Sequence, residues 1–225
     1  ELEFKKGPIF SNIILIDEIN RAPAKTQAAL FEAMAERQIT IDGNEFDMQP
    51  PFLVFATQNP VEQEGTYRLS EAQLDRFLFK INVHYPTLEE EVQILENKHH
   101  QKNNNVESLI DAILSAEQIA AYQKVIKDIV VEDNLLKYIA AIVNNTRTNA
   151  NLYLGASPRA SIAILDASKA VAAINGRDFI TPDDIKKVVS PILCHRIILT
   201  PEREMEGYTA EKMIKDLIQT IEIPR

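Results

Sequence analysis

Two short, continuous runs of apolar residues, each followed at once by polar side chains, constrain the fold most strongly. The first spans residues 13–16 and ends in Asp17-Glu18, and the second spans residues 52–56 and ends in Thr57-Gln-Asn59. Runs of this length without alternation are typical of strands buried on both faces of a parallel sheet. Apolar residues at helical spacing lie between them, over residues 24–35. The pattern therefore predicts an α/β layer with a parallel sheet.

Three further elements are predicted before Pro86. Residues 38–48 form two short alternating stretches around Asp42-Gly43, which is the pattern of a β-hairpin with a tight turn. Ser70 with Gln73 has the spacing of a capping box, so a helix is expected to begin there. Residues 78–83 read as a third strand. We assign residues 1–86 to this α/β part.

Residues 87–225 are predicted to form an all-α domain. Thr87 with Glu90, Ser115 with Gln118 and Thr181-Pro182 with Asp184 carry helix-start signals at capping spacing. Helices are predicted from Thr87 into the His99-His100 region and over residues 115–127, 133–148, 158–174, 182–196 and 209–220. Residues 99–105 are polar and read as a loop.

Charge and cysteine content exclude several classes of protein. The chain of 225 residues has 24 Lys and Arg against 33 Asp and Glu, a formal charge of −9, and no local basic patch, which argues against nucleic-acid binding. Cys194 is the one cysteine, so no internal disulfide can form, as in a reducing cytosol. The apolar runs are far shorter than the roughly 20 residues that cross a bilayer, and no signal peptide is recognisable. These features predict a cytoplasmic protein without membrane insertion.

Asp17 and Glu18 are the first candidates for chemistry. Ligands of open α/β sheets bind beyond the carboxyl ends of the strands, where these two acids lie. One acid can hold a hydrated Mg²⁺ while the next polarises a water for in-line attack on a phosphate. The alternative is that the two acids only leave the strand and begin the next helix.

Asn59 and two arginines are the remaining candidates. Asn59 can contact a phosphate or orient a water, but Asn59-Pro60 is also a common turn. Arg76, at a helix end, can act as an arginine finger or simply complement the helix dipole. Arg159 follows Ser157-Pro158, which puts a cation in a first helical turn, where the dipole disfavours it. An anion is therefore expected near Arg159, and either a carboxylate or a phosphate would serve.

Two histidine-containing pairs are weaker candidates. His99-His100 lacks further ligands at metal-binding spacing and is expected to be solvated. Cys194-His195 lies in an apolar helical run and is expected to pack rather than react.

Taken together, these segments resemble a known family over essentially the whole chain. The chain resembles the MoxR group of AAA+ ATPases, in the clade that includes magnesium-chelatase ATPase subunits. The segments that carry the resemblance are Gly7-Pro-Ile-Phe10, Ile14-Leu-Ile-Asp-Glu-Ile-Asn-Arg-Ala22, Lys25-Thr-Gln-Ala-Ala29, Ala56-Thr-Gln-Asn-Pro60, Glu62-Gln-Glu-Gly-Thr-Tyr67, Glu71-Ala-Gln-Leu-Asp-Arg-Phe77, Gly155-Ala-Ser-Pro-Arg-Ala160 and Thr181-Pro-Asp-Asp-Ile185.

The resemblance implies a role for each candidate residue. Asp17 corresponds to the Walker B residue that holds Mg²⁺ through water, and Glu18 to the residue that activates the attacking water. Asn59 corresponds to sensor 1, Arg76 to the arginine finger and Arg159 to sensor 2 of a helical lid. The 38–48 hairpin corresponds to the presensor-1 insertion.

One motif of the family is missing from these 225 residues. No Gly-x-x-x-x-Gly-Lys-Ser/Thr occurs, whereas the family carries this P-loop upstream of the stretch where the present chain begins. The expected fold is therefore an incomplete AAA+ parallel-sheet core, without its P-loop strand, followed by an all-α lid domain. These residues alone are expected not to bind ATP.

The resemblance also implies what the intact protein does. It would couple the hydrolysis of ATP with Mg²⁺, in a ring expected to be hexameric, to chaperone-like maturation of partner proteins, some of them with von Willebrand factor A domains. The alternatives are a non-catalytic AAA+ interaction or scaffold module and a magnesium-chelatase-type ATPase subunit.

Overall fold

A strand-containing part is followed by a helical part, as the sequence predicts. A computed structural model of the chain describes residues 5–58, 67–100 and 111–223. The first part contains β1 (Ile13–Ile16), α1 (Ala24–Glu36), β2 (Gln38–Ile41), β3 (Asn44–Asp47), β4 (Leu53–Ala56) and the short α2 (Glu71–Leu74). The second contains α3 (Leu88–His100), α4 (Ala116–Lys127), α5 (Asp133–Thr148), β5 (Leu152–Leu154), α6 (Pro158–Ile174), α7 (Pro182–Leu193), β6 (Ile198–Leu199), α8 (Pro201–Met205) and α9 (Ala210–Thr220).

Strands β1 and β4 are parallel neighbours, which confirms the predicted parallel sheet. Their register runs from Ile13 opposite Leu53 to Ile16 opposite Ala56. Because parallel strands end at the same edge of a sheet, the polar residues that follow the two strands are brought side by side.

The prediction that both faces of these strands are buried is wrong. Val54 and Ile16 pack toward α1 on one face, whereas Leu15 is 71% exposed and Phe55 50% exposed on the other. Helix α1 covers the first face, and no described element covers the second. The strands are apolar throughout, but the described chain supplies only one layer of helix to cover them.

The third strand predicted over residues 78–83 is also wrong. These residues form no regular structure, and Ile81 and Val83 are 71% and 92% exposed. A strand exists only where a neighbour accepts and donates its backbone hydrogen bonds. No described strand lies beside this segment, and the Lys80 amide donates instead to the carbonyl of Pro191 in the helical part, at 2.9 Å.

The predicted hairpin is confirmed. Strands β2 and β3 pair antiparallel, with Ile41 opposite Asn44. The two turn residues, Asp42 and Gly43, have φ of 50° and 79°. Positive φ at both central positions is the geometry of a type I′ turn, which the Asp-Gly pair favours.

The helical part packs around one apolar core, formed mainly by α5, α6, α7 and α9. Ile142, Ile164, Ile185, Leu193 and Ile214 are fully buried there. A two-stranded antiparallel ladder of β5 with β6, which the sequence analysis did not anticipate, closes one side of this part. No helix among the described residues is long and apolar enough to cross a membrane.

The predicted capping signals at the helix starts are confirmed. Reciprocal caps join Thr87 with Glu90, Ser115 with Gln118, and Thr181 with Asp184. Asp184 also pairs with Arg177, at 2.6 Å from its Nη2 atom, and this hydrogen bond is the main cause that lowers the pKa of Asp184 to about 2.

Candidate functional site

Asp17 and Glu18 lie at the carboxyl edge of the β1–β4 sheet, next to Thr57. The Thr57 hydroxyl donates to Asp17 Oδ1 at 2.5 Å and accepts from the Glu18 amide at 2.9 Å. The Ile19 amide then donates to the Thr57 carbonyl at 3.1 Å. A hydroxyl can donate and accept at once, so Thr57 orients both acidic residues.

Glu18 adopts an unusual backbone conformation. Its φ of 50° and ψ of 53° lie in the left-handed region, which costs a residue with a side chain of order 1 kcal/mol or more. Its carboxylate lies 3.0 Å from Nε of Arg21 in the 3₁₀ turn Ile19–Arg21. Such strain persists where the surroundings hold it, and here the Glu18 amide is bonded to Thr57, the residue that follows β4.

The acids suit Mg²⁺ in the manner of a nucleotide site. Asp17 is exposed and the Thr57 hydroxyl lies beside it, so the atoms available here as metal ligands are oxygens. Within the described residues no group of three or more His, Cys, Asp or Glu could form a closed metal site. A single carboxylate fits a hydrated Mg²⁺ whose remaining ligands are waters and phosphate oxygens.

Asn59 lies outside the described residues, so its placement remains a prediction. Thr57, by contrast, is described and was not anticipated as a functional residue. The signal was present, because Thr57 follows β4 at the position where Asp17 follows β1.

Arg76 and Arg159 lie together in a second place. Both line a cleft of about 400 Å³ between the end of α1 and the start of α6, together with Glu36, Asp166 and Asp75. Arg159 Nη1 lies 3.5 Å from Asp75 Oδ2, and its side chain is 56% exposed. A carboxylate is therefore the anion that accompanies this first-turn cation here, and the long contact leaves most of the guanidinium open to the cleft.

Arg196 is a buried residue that the sequence analysis did not select. The predicted helix over residues 182–196 ends at Leu193, and Arg196 lies in the turn that follows, with its side chain 3% exposed. Its Nε donates to Asp75 Oδ1 at 2.9 Å. Burial lowers the pKa of Arg196, yet guanidinium groups stay charged in proteins. A charged residue inside the apolar stretch 192–199 was the available signal.

The neighbours of Arg196 pack against the interior of the helical part, as predicted. Cys194 is buried, and burial raises the pKa of its thiol. His195 Nε2 lies 3.0 Å from the carbonyl of Phe77, and burial, followed by the charge of Arg196, lowers the pKa of His195 to about 4.

The structure brings the two acids together and the two arginines together, but it separates the pairs. Glu18 precedes α1, whereas Ala35 and Glu36 at the end of α1 line the arginine cleft. A helix of 13 residues is roughly 20 Å long at 1.5 Å per residue. The acids and the arginines of one chain therefore lie at opposite ends of α1.

Two family models match separate parts of the chain. A model described as "ATPase family associated with various cellular activities (AAA)" matches residues 1–79. A second, described as "AAA lid domain", matches residues 144–217.

Known proteins and structures match over nearly the whole chain. The uncharacterised protein YeaC of Bacillus subtilis is 42% identical over 224 residues, which are 100% of this chain and 69% of that protein. The chaperone MoxR1 of Mycobacterium tuberculosis is 40% identical, with 100% of this chain and 61% of that protein covered. A crystal structure of a candidate ATPase from Cytophaga hutchinsonii superposes with a TM-score of 0.91 and 40% identity, and covers 99% of this chain and 69% of that one.

Proposed function

Since the chain belongs to the MoxR family of AAA+ ATPases, we propose that it supplies the catalytic acids, the arginine finger and the lid of an ATP hydrolase. The observation that carries this proposal is the carboxyl edge of the parallel sheet, where Thr57 orients Asp17 and Glu18. A hydroxyl that joins both acidic residues and a strained Glu18 backbone are unexpected if the two acids only link a strand to a helix.

The proposed chemistry assigns one task to each side chain. Asp17 holds the waters of a Mg²⁺ ion, which when bound neutralises the charge that develops on the phosphates. Glu18 accepts a proton from the attacking water as the water oxygen bonds to the γ-phosphorus and the bond to ADP breaks. Asn59, which follows β4 in the sequence, is proposed to orient that water or the γ-phosphate.

The two arginines are proposed to serve the nucleotide of a neighbouring subunit. Arg76 and Arg159 lie at the far end of α1 from Glu18, so one chain does not aim them at its own acids. A head-to-tail ring solves this problem, because each interface joins the acid end of one subunit to the arginine end of the next. We propose such a ring, with six subunits.

The partners and location are proposed on the same basis. The M. tuberculosis relative is named a chaperone, and we propose that hydrolysis here drives the maturation of client proteins, including proteins with von Willebrand factor A domains, in the cytoplasm. The 225 residues contain no P-loop motif, and we propose that by themselves they do not bind ATP.

Replacing Glu18 tests the proposed hydrolysis. In the complete protein, Glu18→Gln should bind ATP as tightly as the unchanged protein but release phosphate at least about 100-fold more slowly, because the amide cannot accept the proton. ATP binding is measured by calorimetry and turnover by phosphate release. Unchanged phosphate release would remove Glu18 from its role, and a complete unchanged protein without any turnover would favour the scaffold alternative.

A further inference from the structure

Arg196 of the helical part forms hydrogen bonds to the segment that carries Arg76. Arg196 donates through Nη2 to the carbonyl of Asp75 at 3.0 Å and to the carbonyl of Phe77 at 2.6 Å. Its Nη1 donates to the carbonyl of Leu78 at 3.2 Å. One guanidinium group therefore holds the backbone on both sides of Arg76.

The Asp75 side chain adds further hydrogen bonds between this segment and the helical part. Its carboxylate accepts from Arg196 Nε at 2.9 Å and from the Ser157 hydroxyl at 2.8 Å. Ser157 is also the N-cap of α6, where it accepts from the Arg159 amide at 3.1 Å. Asp75, the residue directly before Arg76, is thus connected through Ser157 to α6, the helix that carries Arg159.

Arg76 itself depends on this backbone for its position. Its side chain is exposed, and no hydrogen bond or ion pair to another described residue holds its guanidinium. A finger must place its guanidinium within about 1 Å of the productive position to act on a transition state. The direction in which Arg76 projects is therefore set by the residues on either side of it, and Arg196 binds both.

We propose that Arg196 is a positioning residue for Arg76, through which the lid sets where the finger projects. This inference rests on the proposed role of Arg76 in the neighbouring site. If Arg196 only stabilised the fold, any hydrogen-bond acceptors could serve as its partners. Nη1 of Arg196 also donates to the Ile192 carbonyl in α7, but each of its other hydrogen bonds goes to a residue within two positions of Arg76. The pair Asp75–Arg196 is separated by 121 positions in the sequence.

The variant Arg196→Lys tests the proposal in the complete protein. Lysine keeps the charge but has one nitrogen in place of a planar fork, so it cannot hold the flanking carbonyls of Asp75 and Phe77 together. We expect kcat for ATP to fall by about 10- to 100-fold, while KM for ATP is unchanged because the acids of the same site are untouched. An unchanged kcat in folded protein would overturn the proposal.

Arg177→Lys is the matched control. Arg177 also forms a close ion pair, with Asp184 at 2.6 Å, but it lies before α7, whereas Arg196 follows the end of that helix. We expect Arg177→Lys to lower thermal stability and leave kcat unchanged. An equal loss of kcat in both variants would show a general folding effect and overturn the proposal. If Arg196→Lys does not fold, Arg196→Gln replaces it, because one amide group cannot reach the carbonyls of Asp75, Phe77 and Leu78 together. The same loss of kcat is expected, and an unchanged kcat would again contradict the proposal.

Mixed rings separate this inference from the proposed function. Subunits with Arg196→Lys retain their own Glu18, so mixing them with Glu18→Gln subunits, which retain a correctly held Arg76, should restore part of the activity. Mixing Arg76→Ala with Glu18→Gln provides the reference. Recovery in the reference but none with Arg196→Lys would overturn the positioning role alone, whereas failure of the reference would overturn the proposed function on which it rests.

Discussion

At the scale of single residues, His195 and Arg196 both form a hydrogen bond to the backbone carbonyl of Phe77. The Phe77 carbonyl accepts hydrogen bonds from Arg196 Nη2 and, at 3.0 Å, from His195 Nε2. A carbonyl can only accept, so Nε2 carries the proton of a neutral imidazole. A second proton would place a charge in a buried position beside a guanidinium, which is why the pKa of His195 is lowered to about 4.

This lowered pKa makes stability depend on pH in a defined window. Between pH 6.5, the ordinary value for an unfolded histidine, and about pH 4, the unfolded chain binds a proton that folded His195 does not. The free energy of unfolding should therefore fall as the pH drops through this window, by at most about 1.4 kcal/mol per pH unit from this group. Above pH 6.5 His195 is neutral in both the folded and the unfolded chain, so the full stability is retained there.

Denaturant unfolding at several pH values from 7 to 4.5 measures this slope. His195→Gln is the control, because a glutamine amide can donate to the Phe77 carbonyl and does not titrate. We expect a smaller slope for His195→Gln than for the unchanged protein. The same slope in both would contradict the assignment.

At the scale of secondary-structure elements, Gly155 lets the strand β5 lead into α6 close against the end of α5. A Cβ atom added at Gly155 would lie 2.6 Å from the Thr146 carbonyl oxygen and 2.7 Å from Arg147 Cα. Beside it, the Thr146 hydroxyl accepts from the Ala156 amide at 2.9 Å. This close approach determines where α6, and with it Arg159, begins.

Gly155→Ala should therefore destabilise the protein. The clash is with backbone, which cannot rotate away, so we expect a loss of about 1 to 3 kcal/mol in the free energy of unfolding. Gly7→Ala is the matched control, since no atom of the described residues beyond its chain neighbours lies within 4 Å of the added Cβ there, and a change within about 0.5 kcal/mol is expected. Equal stabilities of the two variants in denaturant unfolding would contradict this account.

Elements with local signals were predictable from the sequence, and those that depend on distant partners were not. The caps of α4 and α7 and the Asp42-Gly43 turn depend on residues a few positions apart, and these predictions are confirmed. Residues 78–83 have strand-like composition, but pairing requires a neighbour that composition does not reveal. Likewise, the contact of Arg196 with Asp75 joins residues 121 positions apart, which no spacing rule detects.

At the scale of the whole molecule, the proposed active site is divided between the two ends of α1. Thr57 and the acids occupy one end, and Arg76 with Arg159 occupies the other. Asp17 and Glu18 were identified from the sequence because they follow a strand directly. The division between acids and arginines depends on the path of α1 through the fold, which the sequence analysis did not resolve.

Mixing two inactive variants of the complete protein tests this division most directly. Arg76→Ala subunits keep Glu18, and Glu18→Gln subunits keep Arg76, so an interface with Glu18 from the first and Arg76 from the second is complete. Each variant alone should release almost no phosphate, whereas the mixture should regain a clear fraction of the unchanged rate. Mixing Arg76→Ala with the double variant Glu18→Gln, Arg76→Ala should restore nothing. Phosphate release from the mixture that stays at the level of the separate variants, in rings shown to contain both kinds of subunit, would contradict the account.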